Sequence, residues 1–205
     1  MKTIILPTDK DDAISHALEI LKHGGLVAFP TDTVYGVGAL AFDADAIESI
    51  YTAKDRPVEK AIPILISGPE DLDQVTTEIP PIAAKLATRF WPGSLTLVVP
   101  KHPNLPEVVS ASPTVGVRVP DHPVARALLT AAGPMAVTSA NISGHASPKT
   151  AEEVSRQLNG RIPLILDGGK TPGGVPSTVV NCLGTEPVIL REGPVTLKDI
   201  QFALA

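Results

Sequence analysis

Three polar segments of this 205-residue chain each follow an apolar run, and their side chains suit the binding of an anion. They are residues 29–36 (FPTDTVYG), 54–60 (KDRPVEK) and 138–144 (TSANISG). The first and third supply hydroxyl and amide groups, and the second supplies three cations. Lys and Arg make charge-assisted hydrogen bonds, while small hydroxyls and glycines let backbone amides approach phosphate oxygens. Together the segments predict a cavity for an anion.

Two arginines at strands extend this pattern. Arg118 alternates with valines in VRVP, so its side chain should point to the face of the strand opposite the core, where arginines often clamp carboxylates. Arg191 follows the apolar run 188–190. Five cations without metal-ligand spacing and without a Ser-His-Asp arrangement favour nucleotidyl transfer, a chemistry that works by positioning and by neutralising phosphate charge.

Taken one at a time, several of these residues also fit ordinary structural roles. Lys54 and Arg56 could form a solvated helix end favoured by the helix dipole, and hydroxyl clusters often form turns. GVGALA (36–41) matches a dinucleotide-binding pattern, but Pro30 separates it from the preceding strand. GKT (169–171) lacks the first glycine of a P-loop. We expect Cys182 to be buried and His122 to begin a helix.

The elements that must position these residues alternate between helical and extended patterns. Helices are predicted at 11–22, 43–53, 81–90, 123–132, 151–158 and from 197 onward. Strands are predicted at 26–29, 62–66, 94–99, 115–119, 135–137, 162–166, 177–181 and 188–190, with one long loop at 30–42. The lack of a strict βαβ rhythm indicates a mixed sheet in an α/β or α+β domain.

Composition limits the class of protein. Hydrophobic residues make up 43% and charged residues 19% of the chain, which predicts one compact domain over residues 1–205. A net charge of −5 and 3% aromatic residues disfavour a broad nucleic-acid surface. The start has neither a signal-peptide core nor a membrane span, and one cysteine suits a reducing compartment. We therefore expect a cytoplasmic protein that takes small substrates.

Seven strings, in order, carry a family resemblance: PTDTVYGVGALA, KDRPVEKAIPI, FWPGSLTLV, TVGVRVPDHP, TSANISG, STVV and REG. They resemble the YrdC family, and within it the threonylcarbamoyl-AMP synthases of the TsaC type, over about residues 25–193. The resemblance implies a twisted mixed β-sheet with flanking helices that enclose a deep, positively charged cavity. It also implies that the chain, which ends soon after REG, lacks the extra C-terminal domain of longer relatives.

The resemblance implies an enzyme that joins L-threonine, bicarbonate and ATP into threonylcarbamoyl-AMP and pyrophosphate for tRNA modification beside the anticodon. Lys54 and Arg56 would be catalytic. Threonine would be held by Thr33, Arg118 and Ser177, with Arg118 gripping its carboxylate. ATP would be held by a larger set, which consists of Arg56, Lys60, Thr114, Ser139, Asn141, Ser147 and Arg191.

The same resemblance implies the remaining partners. Mg²⁺ is expected on the ATP phosphates and no protein metal site is predicted, because no acidic cluster stands near the motifs. Separate threonylcarbamoyl-transferase proteins would act on the tRNA. Two alternatives are an RNA-binding maturation factor of the same fold, with weak RNA binding in a basic cavity, and an enzyme that uses carbamoyl phosphate. The chain lacks the zinc-finger and acylphosphatase segments of the latter.

Overall fold

The computed structural model of the chain describes residues 2–205, so the predicted domain of residues 1–205 includes Met1, which lies outside the described residues. The helices are α1 Ala13–Lys22, α2 Ala44–Lys54, α3 Pro81–Phe90, α4 Pro123–Ala132, α5 Ala151–Leu158 and α6 Leu197–Leu204. The strands are β1 Ile4–Pro7, β2 Val27–Phe29, β3 Gly36–Leu40, β4 Ile64–Leu65, β5 Leu95–Pro100, β6 Thr114–Arg118, β7 Met135–Ser139, β8 Leu164–Asp167, β9 Thr178–Asn181 and β10 Val188–Arg191.

The ten strands form one mixed sheet in the order β1-β8-β2-β3-β7-β4-β6-β5-β9-β10. The pairs β1–β8, β2–β8, β4–β6 and β5–β9 are parallel, and the remaining pairs are antiparallel. The mixed α/β fold class is confirmed. The two longest connections, residues 66–80 and 101–113, each contain a short 3-10 helix, Pro69–Gln74 and Glu107–Val109.

The two faces of the sheet differ in how they are covered. One face carries a continuous apolar core against α2, α3, α5 and α6. The opposite face is apolar where α1 and α4 pack on β2, β7 and β8. Over β5, β6 and β9 that face is lined by polar and small residues instead. The helices thus leave half of one sheet face open as the floor of a cavity.

Local signals explain where the helices begin and end. The Asp43 carboxylate caps α2 by accepting from the Ala46 N–H at 3.0 Å, and Thr150 caps α5 by accepting from the Glu153 N–H at 3.3 Å. Asp55, directly after α2, has a left-handed backbone with φ 49°. Aspartate tolerates this conformation better than most residues, and the turn redirects the chain toward the cavity at Arg56.

The prediction of one long loop at 30–42 is wrong, because β3 lies within it. The glycines of GVGAL hide this strand, since glycine is depleted in strands. A Cβ at Gly38 would come 2.7 Å from the carbonyl oxygen of Ala136, and a Cβ at Gly36 would come 2.7 Å from Val137 Cγ1. The glycines therefore permit close packing of β3 on β7 and do not form a dinucleotide loop.

Other differences are at the ends of the chain and of its elements. β1 is a strand that the sequence does not predict, and Ile4 and Ile5 are about half exposed on it. The strand predicted at 62–66 shortens to two residues in β4, while β7 and β10 each extend to include polar residues. Among residues 2–205, no helix combines the length and the apolar character that crossing a membrane requires.

Candidate active site

The cavity has a volume of about 400 Å³, within the usual range for small-ligand sites. The residues that form its floor are set by the alternation of side chains along the strands. In β6, Val115 and Val117 face the apolar core, and Thr114, Gly116 and Arg118 face the cavity. The same alternation in β5 turns Thr96 and Val98 to the cavity. The predicted site residues that line it are Thr33, Arg56, Thr114, Arg118, Ser139, Ser177 and Arg191.

Arg118 lies at one end of the cavity and is 5% exposed. Its Nε donates to the carbonyl oxygen of Gly93 at 2.8 Å, its Nη1 donates to Thr33 Oγ1 at 3.1 Å, and its Nη2 is paired with the Asp32 carboxylate. Burial lowers the pKa of Arg118, and the Asp32 charge opposes this change. The guanidinium is thus fixed in orientation and already has one anionic partner.

Hydroxyl groups surround this arginine. Thr33 Oγ1 lies 2.9 Å from Thr31 Oγ1, and both threonines are buried. Ser177 Oγ lies 2.8 Å from Thr96 Oγ1 across the sheet, and both side chains are again buried. Thr31 belongs to the polar segment 29–36 without being a predicted binding residue, and Thr96 is not among the predicted site residues. The alternation of Thr96 with Leu95 and Leu97 is the signal that could have identified it as facing away from the core.

Arg191 lies at the cavity mouth on the edge strand β10. Its Nε and Nη2 donate to the Ser177 carbonyl oxygen at 3.0 and 2.7 Å, and Nη2 also donates to Ser177 Oγ at 3.1 Å. The register of β10 on β9 shifts between Ile189 and Arg191, which marks a bulge at Leu190. Because a bulge places two residues against one, both Leu190 and Arg191 face the cavity.

Arg56 lies at the other end, in the turn after α2. Its Nε donates to the Lys60 carbonyl oxygen at 3.2 Å, and its Nη2 donates to the Ala61 carbonyl oxygen at 2.9 Å. Burial lowers the pKa of Arg56, the Tyr51 hydroxyl opposes this, and the charge of Arg191 lowers it further. Arg191 also lowers the pKa of Arg118. The guanidinium group of Arg191 therefore repels those of Arg56 and Arg118.

The charge of the lining is positive. Three arginines line the cavity, and the lining has no acidic side chain among the described residues. Asp32 lies directly behind it and compensates Arg118. At the Arg56 and Arg191 end the guanidinium groups donate only to carbonyl and hydroxyl oxygens. That end has positive charge available for a ligand such as a polyphosphate.

Lys54 is not part of the cavity lining. The side chain lies 1% exposed beneath it, and its Nζ donates to the carbonyl oxygens of Ser139 and Asn141. Burial lowers its pKa to about 7, and the Arg56 charge contributes to this. The amine joins the end of α2 to the turn after β7, so its geometry favours positioning of Ser139 rather than contact with a substrate.

Three other residues of the predicted ATP set also lie outside the lining. Lys60 is exposed, and only its carbonyl oxygen serves the site, by accepting from Arg56. Ser147 is half-buried. Asn141 is buried and its amide donates to the carbonyl oxygens of Ile142 and His145, at 2.8 and 3.0 Å. Its Oδ1 is buried without a hydrogen-bond partner among residues 2–205.

The hydroxyl groups of Ser110 and Ser112 form a row with that of Thr114, and neither serine is among the predicted site residues. Ser112 Oγ lies 2.8 Å from Thr114 Oγ1 and 3.1 Å from Ser110 Oγ, and all three residues line the cavity. Ser110 and Ser112 belong to SASPT, a stretch whose composition is that of an ordinary turn. Only the fold shows that this turn faces the arginines.

The remaining expectations concern cysteine, histidine and metal ligands. Cys182 is fully buried, as expected, and burial raises the pKa of its thiol to about 12. His122 occupies the position before α4, as expected, although its side chain makes no cap. In the described chain, 2–205, no three His, Cys, Asp or Glu side chains are grouped so that they could hold a metal ion.

Similarity to known proteins agrees with this geometry. The family described as Telomere recombination (Sua5_yciO_yrdC) matches residues 19–193. The chain is 45% identical to a threonylcarbamoyl-AMP synthase of Bacillus subtilis, over 95% of this chain and 57% of that protein. It is 40% identical to a putative threonylcarbamoyl-AMP synthase of Mycobacterium tuberculosis, over 97% of this chain and 92% of that protein.

Solved structures are similar over nearly the whole chain. Sua5 of Pyrococcus abyssi, complexed with L-threonine, has a TM-score of 0.95 and 42% identity, covering 98% of this chain and 61% of that one. YciO of Escherichia coli has a TM-score of 0.87 and 28% identity, covering 97% and 99%. The chain spans slightly more than half the length of the Bacillus and Pyrococcus relatives.

Proposed function

Because the chain belongs to the Sua5/YciO/YrdC family, we propose that it catalyses the formation of threonylcarbamoyl-AMP from L-threonine, bicarbonate and ATP. One observation carries this proposal: a single cavity joins a carboxylate-binding end at Arg118 to a cationic end at Arg56 and Arg191. An amino acid and a nucleotide polyphosphate are the substrates that such a pair of ends fits.

The reaction joins the two ends. The threonine ammonium group releases one proton to solvent, and the resulting amine reacts with bicarbonate to give a carbamate and water. A carbamate oxygen then forms a bond to the α-phosphorus of ATP, the bond from that phosphorus to the bridging oxygen breaks, and pyrophosphate leaves. The developing charge is on phosphate oxygens, so fixed cations near them stabilise the transition state. We assign that role to Arg56 and Arg191, which lie close enough to repel each other.

Each end of the cavity has its own proposed set of binding residues. Thr33, Arg118 and Ser177 bind threonine, and Arg56, Thr114, Ser139 and Arg191 bind ATP. Asn141 and Ser147, which lie outside the cavity lining, complete the proposed ATP set, and Lys60 shapes the pocket through its carbonyl oxygen. Lys54 positions Ser139 and Asn141. Mg²⁺ would be carried on the ATP phosphates, since hard cations bind oxygen ligands of that kind.

The test measures pyrophosphate release with ATP, bicarbonate and one amino acid at a time. Release should need threonine and bicarbonate together. A buried site that hydrogen-bonds a hydroxyl rejects an analogue without it by about 10⁴-fold, but one that lacks a methyl by only about 10–200-fold. Serine should therefore retain more activity than valine. Equal rates with valine and threonine would refute the assignment.

Transfer to tRNA is the step for which we propose separate transferase proteins, in the cytoplasm. Seven aromatic residues and a net charge of −5 give the chain little means to grip RNA and place one adenosine. Purified protein incubated with ATP, threonine, bicarbonate and unmodified tRNA should yield no threonylcarbamoyladenosine after digestion. Efficient modification without any added protein would show a transferase activity in this chain.

A further inference from the structure

Two threonines of the cavity lining, Thr31 and Thr33, contact each other through their hydroxyl groups. Both are buried, at 3% and 2% exposure, and their Oγ1 atoms lie 2.9 Å apart, so one hydroxyl donates to the other. The direction of this bond decides how Thr33 meets a ligand, as a hydrogen-bond donor or as an acceptor. The contacts around the pair fix that direction.

The proton of the Thr31 hydroxyl is taken by a backbone carbonyl. Thr31 Oγ1 donates to the Val34 carbonyl oxygen at 2.7 Å, and no other donor among residues 2–205 bonds to that carbonyl. Val34 is 6% exposed, and leaving a buried carbonyl without a partner is costly. The backbone N–H groups of Thr33 and Val34 also point to Thr31 Oγ1, at 3.2 and 3.3 Å. Toward Thr33, Thr31 is therefore an acceptor.

The hydroxyl of Thr33 keeps one acceptor site for a ligand. A hydroxyl has one proton and two acceptor sites. The Thr33 proton goes to Thr31, and one acceptor site takes the N–H of Arg118 Nη1 at 3.1 Å. The second acceptor site has no partner among residues 2–205, and Thr33 lines the cavity. A ligand in the cavity therefore meets Thr33 Oγ1 as an acceptor.

The backbone of Thr33 is held in place by the glycines after β8. The Gly174 N–H donates to the Thr33 carbonyl oxygen at 2.5 Å, and a Cβ at Gly173 would come 3.1 Å from the Thr33 Cα. The two glycines thus pack directly against this residue. Because its backbone is fixed, Thr33 can present its proton to a ligand only by giving up its bond to Thr31, which leaves buried polar atoms less well satisfied.

We propose that Thr31 is a positioning residue that fixes Thr33 Oγ1 as an acceptor for a hydrogen-bond donor of the amino-acid substrate, either its hydroxyl or its ammonium group. This inference rests on the proposed function and deepens it, because it assigns the direction of one contact in the threonine site. An atom that can only accept, placed at the same point, meets a lone pair of Thr33 and is rejected. The pocket therefore selects its ligand by hydrogen-bond direction as well as by shape.

The experiment measures binding by calorimetry without ATP, with threonine and two analogues that each lack one donor. In 2-amino-3-fluorobutanoate fluorine replaces the hydroxyl, and in 2-fluoro-3-hydroxybutanoate fluorine replaces the ammonium group. The wild type should prefer threonine about tenfold or more over the analogue that lacks the donor bound by Thr33.

Thr31→Val keeps the shape of the side chain and removes its hydroxyl, so Thr33 can turn its proton to the ligand. The preference for threonine over that analogue should then fall about threefold or more. The preference over the other analogue should not change, and this difference identifies the donor. Thr31→Ser keeps the hydroxyl and should keep both preferences.

Thr76→Val is the matched control. Thr76 is also 3% exposed, its hydroxyl donates to the Glu78 carbonyl oxygen at 2.7 Å, and it lies outside the cavity lining. This variant loses a buried hydroxyl of the same kind, so it should lower the melting temperature as Thr31→Val does and change no ligand affinity.

Equal weakening of all three ligands in Thr31→Val, with both preferences unchanged, would show that Thr31 only supports the backbone and would overturn the proposal. Wild-type binding of both analogues as tightly as threonine would overturn it as well. If Thr31→Val does not fold, Thr31→Cys replaces it, because a thiol donates and accepts only weakly, and the same two preferences decide. Threonine-dependent pyrophosphate release is measured separately. An active enzyme with unchanged preferences refutes the Thr31 assignment alone, whereas a protein that binds no threonine refutes the proposed function.

Discussion

The two ends of the cavity hold their arginines in different ways. At the threonine end, Arg118 is 5% exposed and paired with the Asp32 carboxylate. At the nucleotide end, Arg56 and Arg191 donate to backbone carbonyls and to one hydroxyl. Burial lowers the pKa of Arg56, and the charge of Arg191 lowers it further. Among the described residues, Arg118 has a carboxylate partner before a ligand arrives, and Arg56 and Arg191 do not.

This difference separates two uses of arginine. A compensated arginine is part of the folded structure, because removing it leaves a buried charge behind. An uncompensated arginine near another cation adds repulsion to the fold, and an anionic ligand relieves it. The threonine end should therefore contribute to stability, and the nucleotide end should contribute to affinity and rate.

The largest expected effect is on stability at the threonine end. Arg118→Ala leaves the Asp32 carboxylate buried without its partner and should lower the free energy of unfolding by about 3–5 kcal/mol. Arg56→Ala should change it by less than about 1 kcal/mol, because no carboxylate loses a partner. Urea unfolding of both variants measures the contrast. Similar losses in the two variants would break the comparison.

Next in size is the effect of Arg56 on catalysis. Arg56→Ala should lower the rate of pyrophosphate release by about 10²- to 10³-fold, since fixed charge at the phosphates is lost. Threonine affinity measured without ATP should stay unchanged. Arg126→Ala removes an exposed arginine on α4 and serves as the control. Rates within twofold of the wild type in Arg56→Ala would instead support a solvated helix end.

Lys54 lies two residues from Arg56, and its environment can be tested through the pH dependence of stability. Its pKa falls from 10.5 to about 7 in the folded chain, so between these values the unfolded chain binds more protons. Stability should then rise with pH across this window, by up to about 1.4 kcal/mol per pH unit from this group. Lys54→Met should flatten the rise. Denaturant midpoints of both proteins from pH 7 to 9.5 test this, and parallel curves would argue against a depressed pKa.

The smallest expected effect is a difference between the two ends of the cavity in how strongly ligand binding depends on salt. ATP should bind without threonine and raise the melting temperature by mass action. Added salt should weaken ATP binding several-fold, because exposed cations at the nucleotide end are screened. Threonine binding, between a zwitterion and a neutral pair, should change little. Equal salt dependence for both ligands would mean that the ends do not differ in net charge.

Of the residues compared here, the sequence predicts the positions of Arg118 and Arg56 well. Alternation in TVGVRV places Arg118 opposite the core, and the helix that ends at Lys54 places Arg56 just past it; both follow from local periodicity. Asp32 could not be found in the same way, because its partner is 86 positions away and pairing across a sheet leaves no local pattern. The burial of Lys54 was missed for a similar reason. Its acceptors, the carbonyls of Ser139 and Asn141, belong to a distant turn.

The edge strand β10 has a consequence for the local stability of the cavity wall. It pairs with β9 alone, and Val188 and Leu190 are 55% and 58% exposed on it. Release of this strand costs one ladder, the packing of Ile189 against the apolar core and the Arg191 contacts to Ser177, while the rest of the core stays packed. Segments with so few buried contacts open locally at free energies below that of global unfolding. Local opening of this edge and the lifetime of the fold are thus governed by different parts of the chain, and each can vary without the other.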